Sequence, residues 1–171
     1  LVAGAGLLVR SAVALARVRP GFDVEHVLTA RLALPERDYP EIGPMVGALE
    51  RMREAAASQP GVQGAGIVSR VPLGGSLTGI DVAPVERPMD GPDRVNVALR
   101  IASTGYFAAI GIPLLAGRDL RPADDAQAPR VVVVNATMAA RLGGPQRAVG
   151  RRLRSDNGAF ADAAGRPHEL E

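Results

Sequence analysis

Few side chains in this sequence have the chemistry and spacing needed for catalysis or metal binding. The two histidines, His26 and His168, lie far apart with no local partner, a pattern that favours surface residues over a base or a ligand. Asp119, Asp124 and Asp125 could form a cation site, but without further converging carboxylates a solvated loop is favoured. No nucleophile elbow, zinc-protease motif or phosphate-binding loop occurs. We therefore predict no catalytic, cofactor-binding or metal-binding residue, and a protein that is not an enzyme.

The composition narrows the class of protein further. All 20 basic residues are arginine, the net charge is only +2, and aromatic residues make up 3% of the chain. Nucleic-acid binding usually needs a basic face with aromatic stacking platforms, so we predict no nucleic-acid partner. The chain has no cysteine, which excludes disulfides and thiolate metal sites. With 171 residues, 47% of them hydrophobic, it can bury a core and is expected to be globular.

The first residues have the pattern of a helix. Apolar residues recur at helical spacing over 1–18, but the charge-free run stops at Arg10, about half of the roughly 20 residues that cross a bilayer. Two interpretations are open, an amphipathic surface helix or the last turns of a transmembrane helix whose start lies outside the sequence. Because the chain begins at Leu1 and ends as an apolar run begins, we expect it to be part of a longer protein.

The sequence after this helix alternates between strand and helix patterns. Pro20 and Gly21 break the first helix, and Phe22 is expected to anchor the exit turn to the domain. Alternation of apolar and polar residues predicts a half-solvated strand over 27–34. An apolar stripe at spacings of three and four predicts a helix over 39–59.

Further elements follow from local signals. We predict buried or half-buried strands over 62–71, 112–116 and 131–134, and the start of a final strand at 168–170. We also predict a hairpin with arms at 78–85 and 95–101, and a helix over 136–142 that is capped by Asn135 and ended by Gly143 and Gly144.

The central segment combines a short helix with a strand-like run. Ser103 is expected to cap a helix that carries Tyr106 and Phe107 on one face, and Gly111 to close it in the left-handed conformation. With two of the five aromatic residues of the chain, this segment is expected to fill part of a core.

Several stretches resemble the MacB-like periplasmic core domain of FtsX/MacB-type ABC transporter permeases. The resemblance runs in order from about Leu7 to Leu153 and includes a Val-Ser-x-x-Pro-Leu-Gly-Gly run and a closing strand-helix-turn. The chain departs from the family at 143–147, where an aromatic and an acidic loop are usual. The signature residues that carry the resemblance are Pro20, Gly21, Phe22, Tyr106, Phe107, Gly111, Ile112, Pro113, Gly117 and Arg118.

The resemblance implies an α+β fold, with a mixed β-sheet, helices packed on one face, and a smaller β-rich inserted lobe at 75–105. It favours the transmembrane interpretation for residues 1–19, which would attach the chain to the membrane. Residues 20–171 would then form the periplasmic core domain, truncated before its last strand.

The implied function is that of an extracytoplasmic domain of an ABC exporter permease in the bacterial inner membrane. Such a domain transmits ATP-driven conformational change and moves a peptide, antibiotic or lipoprotein substrate. The resemblance implies that ATP binds a separate nucleotide-binding subunit or domain, that the permease works as a homodimer or pseudo-dimer, and that periplasmic partner proteins are possible. Two alternatives stay open: a module that binds a ligand or partner in the cleft between the lobes, and an enzyme or sensory domain of similar fold.

Overall fold

The structure is a computed structural model that describes residues 2–16, 20–35, 37–74, 78–125, 127–155, 169 and 170. The described helices are α1 (Val2–Ala16), α2 (Ile42–Ala57), α3 (Tyr106–Ala109), α4 (Ala136–Arg141) and α5 (Pro145–Ala148). The described strands are β1 (Thr78–Pro84), β2 (Val95–Leu99), β3 (Leu153–Ser155) and β4 (Glu169–Leu170). This mixture of helices with an antiparallel sheet confirms the α+β class.

The longer helices lie where local sequence signals predict them. α1 and α2 fall within the predicted ranges, and α4 begins directly after Asn135. The Asn135 side chain accepts a hydrogen bond from the Met138 amide at 2.9 Å, which satisfies one of the free amides of the first turn. Gly143 follows α4 with φ +97°, so the predicted glycine stop is also confirmed.

The four strands form one sheet in the order β2-β1-β3-β4. The predicted hairpin is confirmed, since β1 and β2 pair antiparallel with Ile80 opposite Val97. β1 also pairs antiparallel with β3, and β3 with β4. Every pairing between described strands is therefore antiparallel, where we predicted a mixed sheet. The inserted lobe at 75–105 and the division at residue 19 stay predictions.

Four segments predicted as strands do not form ladders among the described residues. Residues 27–34, 112–116 and 131–134 have no assigned strand, and 62–71 contributes a single bridge, Val68 to Ala102. A period-two or all-valine pattern indicates which side chains are suited to burial, but a strand also needs a neighbouring strand to bond its backbone amides and carbonyls.

The outcome differs between two of these segments. Val132 and Val134 pack against the core cluster without joining a ladder. Leu28, in contrast, is 97% exposed. The apolar pattern of 131–134 is thus explained by packing. In 27–34 Val27 and Leu34 are half-buried, while Leu28 and Leu32 are exposed and no ladder forms with the described residues.

The core lies on one face of the sheet. Its buried cluster joins β1 and β3 to α4 and contains Ile80, Val82, Met138, Leu142 and Leu153. Cross-strand registry places Val97 on the same face as Ile80, and Val97 packs against the cluster. The prediction that helices cover one face of the sheet holds for α4.

The other face of the sheet is more polar. Asp81 and Asn96 are cross-strand partners there, and the Asn96 side-chain amide donates to Asp81 at 3.0 Å. Arg94 also donates to Asp81, and together these contacts lower the pKa of the Asp81 carboxyl, the Arg94 hydrogen bond having the larger effect.

Three apolar side chains of α1 lie in solvent: Leu7, Leu8 and Val9 are each at least 64% exposed. Among the helices described, none is long and apolar enough to cross a membrane.

Candidate functional site

The two parts of the signature meet at a joint, which we define as residues 20–26 together with Gly111. The Asp23 amide, directly after Phe22, donates to the Ile110 carbonyl at 2.9 Å. A Cβ on Gly111 would lie 3.3 Å from Cβ of Asp23, and Gly111 has φ +68°. Both facts favour glycine at this position, because any other residue would strain the backbone at this φ and would place its Cβ in close contact with Asp23. The prediction that Gly111 closes its helix in the left-handed conformation is confirmed.

The first residues of the joint are exposed, whereas Asp23 is hydrogen-bonded to the segment after α3. Pro20 and Gly21 are exposed, Gly21 has φ +85°, and nothing lies within 4 Å of where its Cβ would be. Phe22 is half-buried. Among the described residues, no hydrogen bond holds residues 20–22, whereas the Asp23 amide is bonded to Ile110.

Asp23 makes the end of the joint rigid. One carboxylate oxygen accepts hydrogen bonds from the amides of Glu25 (2.8 Å) and His26 (3.2 Å), and the other lies 3.2 Å from Nδ1 of His26. The Glu25 and His26 amides are the main reason that the pKa of Asp23 is below its usual value. We predicted that the turn containing Asp23 breaks the first helix but not that its side chain bonds the backbone, although an aspartate beside a Pro-Gly turn is a known signal for such bonding.

Ser103 does not cap α3, contrary to the prediction. The N-cap residue is Gly105, at φ +74° and without a side-chain hydrogen bond. The Ser103 hydroxyl instead accepts from the Ile67 amide at 2.8 Å, and the Ser103 amide donates to the Ile67 carbonyl at 2.8 Å. Because the Ser103 hydroxyl bonds Ile67 in a neighbouring segment, α3 begins at Gly105 without a side-chain cap.

The aromatic pair of the signature lies in a tightly packed region. Tyr106 is only 6% exposed, and its ring meets that of Phe107 edge to face, with centroids 5.3 Å apart. A Cβ on Gly66 would lie 2.4 Å from Cα of Tyr106, closer than side chains pack. The prediction that this segment fills part of a core is confirmed for Tyr106, and Gly66 is the residue that permits the approach.

The rest of the signature forms a turn and not a strand. The Ile112 amide donates to the Phe107 carbonyl at 2.8 Å, which ends α3, and Pro113 is exposed. Gly117 has φ +79°, and a Cβ there would lie 3.4 Å from Val149. Proline without an amide and glycine at positive φ both work against a central strand.

Arg118 holds the loop that follows. Its guanidinium makes a bidentate pair with Asp124 at 2.7 and 2.6 Å, and the Arg121 amide donates to the same carboxylate at 2.8 Å. The Arg118 hydrogen bond is the largest cause that lowers the pKa of Asp124 to about 2. Asp119 and Asp125 accept hydrogen bonds from nearby backbone amides. The carboxylates therefore order the loop, and no cluster suited to a metal ion occurs among the described residues.

An open cleft of about 350 Å3 lies between residues 20–25 and Gly111. Its titratable groups are Asp23, already bonded to backbone amides, and Glu25. His168, the second histidine, lies outside the described residues. The cleft is thus bordered by the exposed residues Pro20 and Gly21 and by Asp23, whose amide bonds the Ile110 carbonyl.

Comparison with known proteins identifies the family to which this chain belongs. The model of the MacB-like periplasmic core domain matches residues 7–164, a range that includes the joint and the whole central segment. No curated protein and no solved structure matches the chain. Since the match covers most of the sequence, this chain belongs to the family of MacB-like periplasmic core domains, which are domains of ABC-transporter-type permeases.

Proposed function

We propose that this chain is the extracytoplasmic domain of an ABC exporter permease and transmits ATP-driven conformational change across the inner membrane. The family match carries this proposal, because its members are periplasmic core domains of such permeases. The substrate class is a peptide, an antibiotic or a lipoprotein.

The contact between Asp23 and Ile110 supports a mechanical role. A force that arrives along α1 reaches the domain through the joint, and the 2.9 Å hydrogen bond delivers it to α3. The bond joins two backbones, and the Gly111 turn beside it lets the segments approach closely. Backbone contacts of this kind have no side-chain rotamer freedom that could absorb the displacement.

The path continues from α3 into the sheet. Tyr106 packs on the backbone at Gly66, and the neighbouring Ile67 exchanges hydrogen bonds with Ser103. Two residues on, the Ser69 amide donates to the Ile101 carbonyl at 2.8 Å, next to the end of β2. Motion at the joint is thereby passed to the hairpin, in a hinge movement with its pivot at Pro20 and Gly21.

The energy source and the assembly lie outside these residues. ATP binds a separate nucleotide-binding subunit or domain, coupled through the transmembrane region, and the permease acts as a homodimer or pseudo-dimer. No residue of this chain is proposed to bind nucleotide.

The proposed location of the domain on the periplasmic side of the inner membrane is tested by cysteine labelling of the intact protein in a cysteine-free background. Leu28→Cys puts a thiol at a site that is 97% exposed, so a membrane-impermeant maleimide added to cells with a permeabilised outer membrane should label it. The unsubstituted protein is the control, and an ABC ATPase should co-purify from solubilised membranes. Labelling that requires lysis of the inner membrane would contradict the proposal.

A further inference from the structure

Two exposed arginines lie next to each other across adjacent chain segments. The Ser69 amide donates to the Ile101 carbonyl at 2.8 Å, and the Ile101 amide donates to the Ser69 hydroxyl at 3.1 Å. Arg70 directly follows Ser69, and Arg100 directly precedes Ile101 in these antiparallel segments. Both arginines are therefore held beside the same pair of hydrogen bonds.

Neither arginine has an acidic partner among the residues that the structure describes. Other arginines do: Arg118 pairs with Asp124, and Arg87 lies 3.4 Å from Asp93. Two adjacent cations without a carboxylate repel each other, and an anion placed between them would relieve that repulsion.

Exposed apolar side chains flank the arginines. Ile101 is 70% exposed, Val71 41% and Leu73 88%. Leu73 has φ +61°, a conformation that is costly for a residue with a branched side chain. Strain of this kind persists where the surrounding structure imposes it, often at sites that bind a partner.

The neighbouring sheet edge adds backbone groups. Among the described strands, β2 pairs only with β1, so its second edge has no ladder partner in that part of the chain. Arg100 follows β2 directly. A free edge with a charge at its end is suited to an added strand, whose backbone supplies hydrogen bonds and whose side chains supply specificity.

We propose that Arg70, Val71, Leu73, Arg100 and Ile101, together called the arginine patch, bind an extended segment of a partner protein in which carboxylates alternate with large apolar side chains. A carboxylate of that segment lies between the two arginines, and its apolar side chains cover Leu73 and Ile101. Leu73 is four residues from Ser69, at most about 14 Å of extended chain, which a peptide of four or five residues spans.

A second copy of this chain fits the patch poorly. Two copies related by a two-fold axis would bring the same patches together, with arginines facing arginines. An anionic membrane surface would satisfy the charges, but it would not use the hydrogen-bonding groups of the β2 edge. Charge and backbone together favour an acidic peptide segment, whether or not the chain transmits force.

The test measures binding of two short fluorescent peptides to the full chain, one of alternating glutamate and leucine and one with glutamine in place of glutamate. The glutamate peptide should bind more tightly, and added salt should weaken it. The double variant Arg70→Ala/Arg100→Ala should weaken its binding about tenfold, the sum expected for two exposed ion pairs. Arg51→Ala, at an exposed position on α2, is the matched control and should leave binding unchanged.

Leu73→Gly separates recognition from folding. It removes the strained φ, so stability should be unchanged or higher, while affinity for the glutamate peptide falls. Equal binding of both peptides, or no binding of either, would overturn the proposal. So would binding to phosphatidylglycerol vesicles that is lost in the double arginine variant while neither peptide binds.

Discussion

Gly66→Ala tests the close packing between Gly66 and Tyr106. The new Cβ would lie 2.4 Å from Cα of Tyr106, whereas ordinary contact begins at 3.4 Å. The two backbones must therefore separate by about 1 Å, which would stretch both 2.8 Å hydrogen bonds between Ile67 and Ser103 beyond bonding range. Loss of two hydrogen bonds at about 1 kcal/mol each, with an overpacking cost of about 1–3 kcal/mol, predicts a destabilisation of about 3–5 kcal/mol.

The matched control is Gly64→Ala, two residues away in the same segment. Its Cβ would meet Ala109 at 3.9 Å, an ordinary contact, and neither glycine has a positive φ. This substitution should be neutral or stabilising by up to about 1 kcal/mol, because alanine restricts the unfolded chain.

Urea unfolding followed by far-ultraviolet circular dichroism measures both variants. With a slope of about 2 kcal/mol per molar urea, the midpoint of Gly66→Ala should fall by about 1.5–2.5 M relative to the wild type. Midpoints of the two variants within about 0.3 M of each other would refute the contact between Gly66 and Tyr106.

Three further predictions concern the loop, the core and a helix cap. Because its pair with Arg118 lowers the pKa of Asp124 to about 2, the pair stabilises the folded chain above the usual aspartate pKa near 4. The urea midpoint should therefore fall as the pH is lowered from about 4 to 2. In Asp124→Asn this pH-dependent fall should be absent. Leu153→Ala should lower the free energy of urea unfolding by about 2–5 kcal/mol, because Leu153 is 3% exposed. Leu28→Ala, at a site 97% exposed, should change it by less than about 0.5 kcal/mol. Equal effects of the two substitutions would contradict the burial of Leu153 in the core. Asn135→Ala should cost about 1 kcal/mol in thermal unfolding through loss of the Met138 cap, and an unchanged melting temperature would contradict that hydrogen bond.

Sequence reasoning succeeds here where the signal is local. The helix α2, the Asn135 cap and the glycine after α4 depend on residues a few positions apart, and all three are present. The apolar stripe of α2 is not a buried face, however, because Ile42, Val46 and Met52 are exposed. The hairpin of β1 and β2 is also local, since one turn connects its arms.

Prediction fails where the partner is distant in sequence. The strand patterns at 27–34 and 131–134 do not tell which backbone would pair with them, and the structure forms β3 from residues that we did not assign to a strand. Ser103 fails for the same reason, because its hydroxyl bonds Ile67, 36 residues away, and not its own helix.

At the candidate site, too, local signals could be predicted from the sequence and tertiary contacts could not. Resemblance identified both parts of the signature, but the contact from Asp23 to Ile110 joins them through tertiary structure. Nothing local in the sequence indicates which segment approaches Gly66, and only the fold shows that its partner is Tyr106.

The central claim is that ATP at the cytoplasmic side moves this domain about the joint. The direct measurement is the distance between spin labels at Leu8→Cys on α1 and Ala98→Cys on β2, both exposed positions, in the intact permease with its ATPase. We expect the distance distribution to shift between the nucleotide-free and vanadate-trapped states. Identical distributions in both states, in a preparation that hydrolyses ATP, would contradict it.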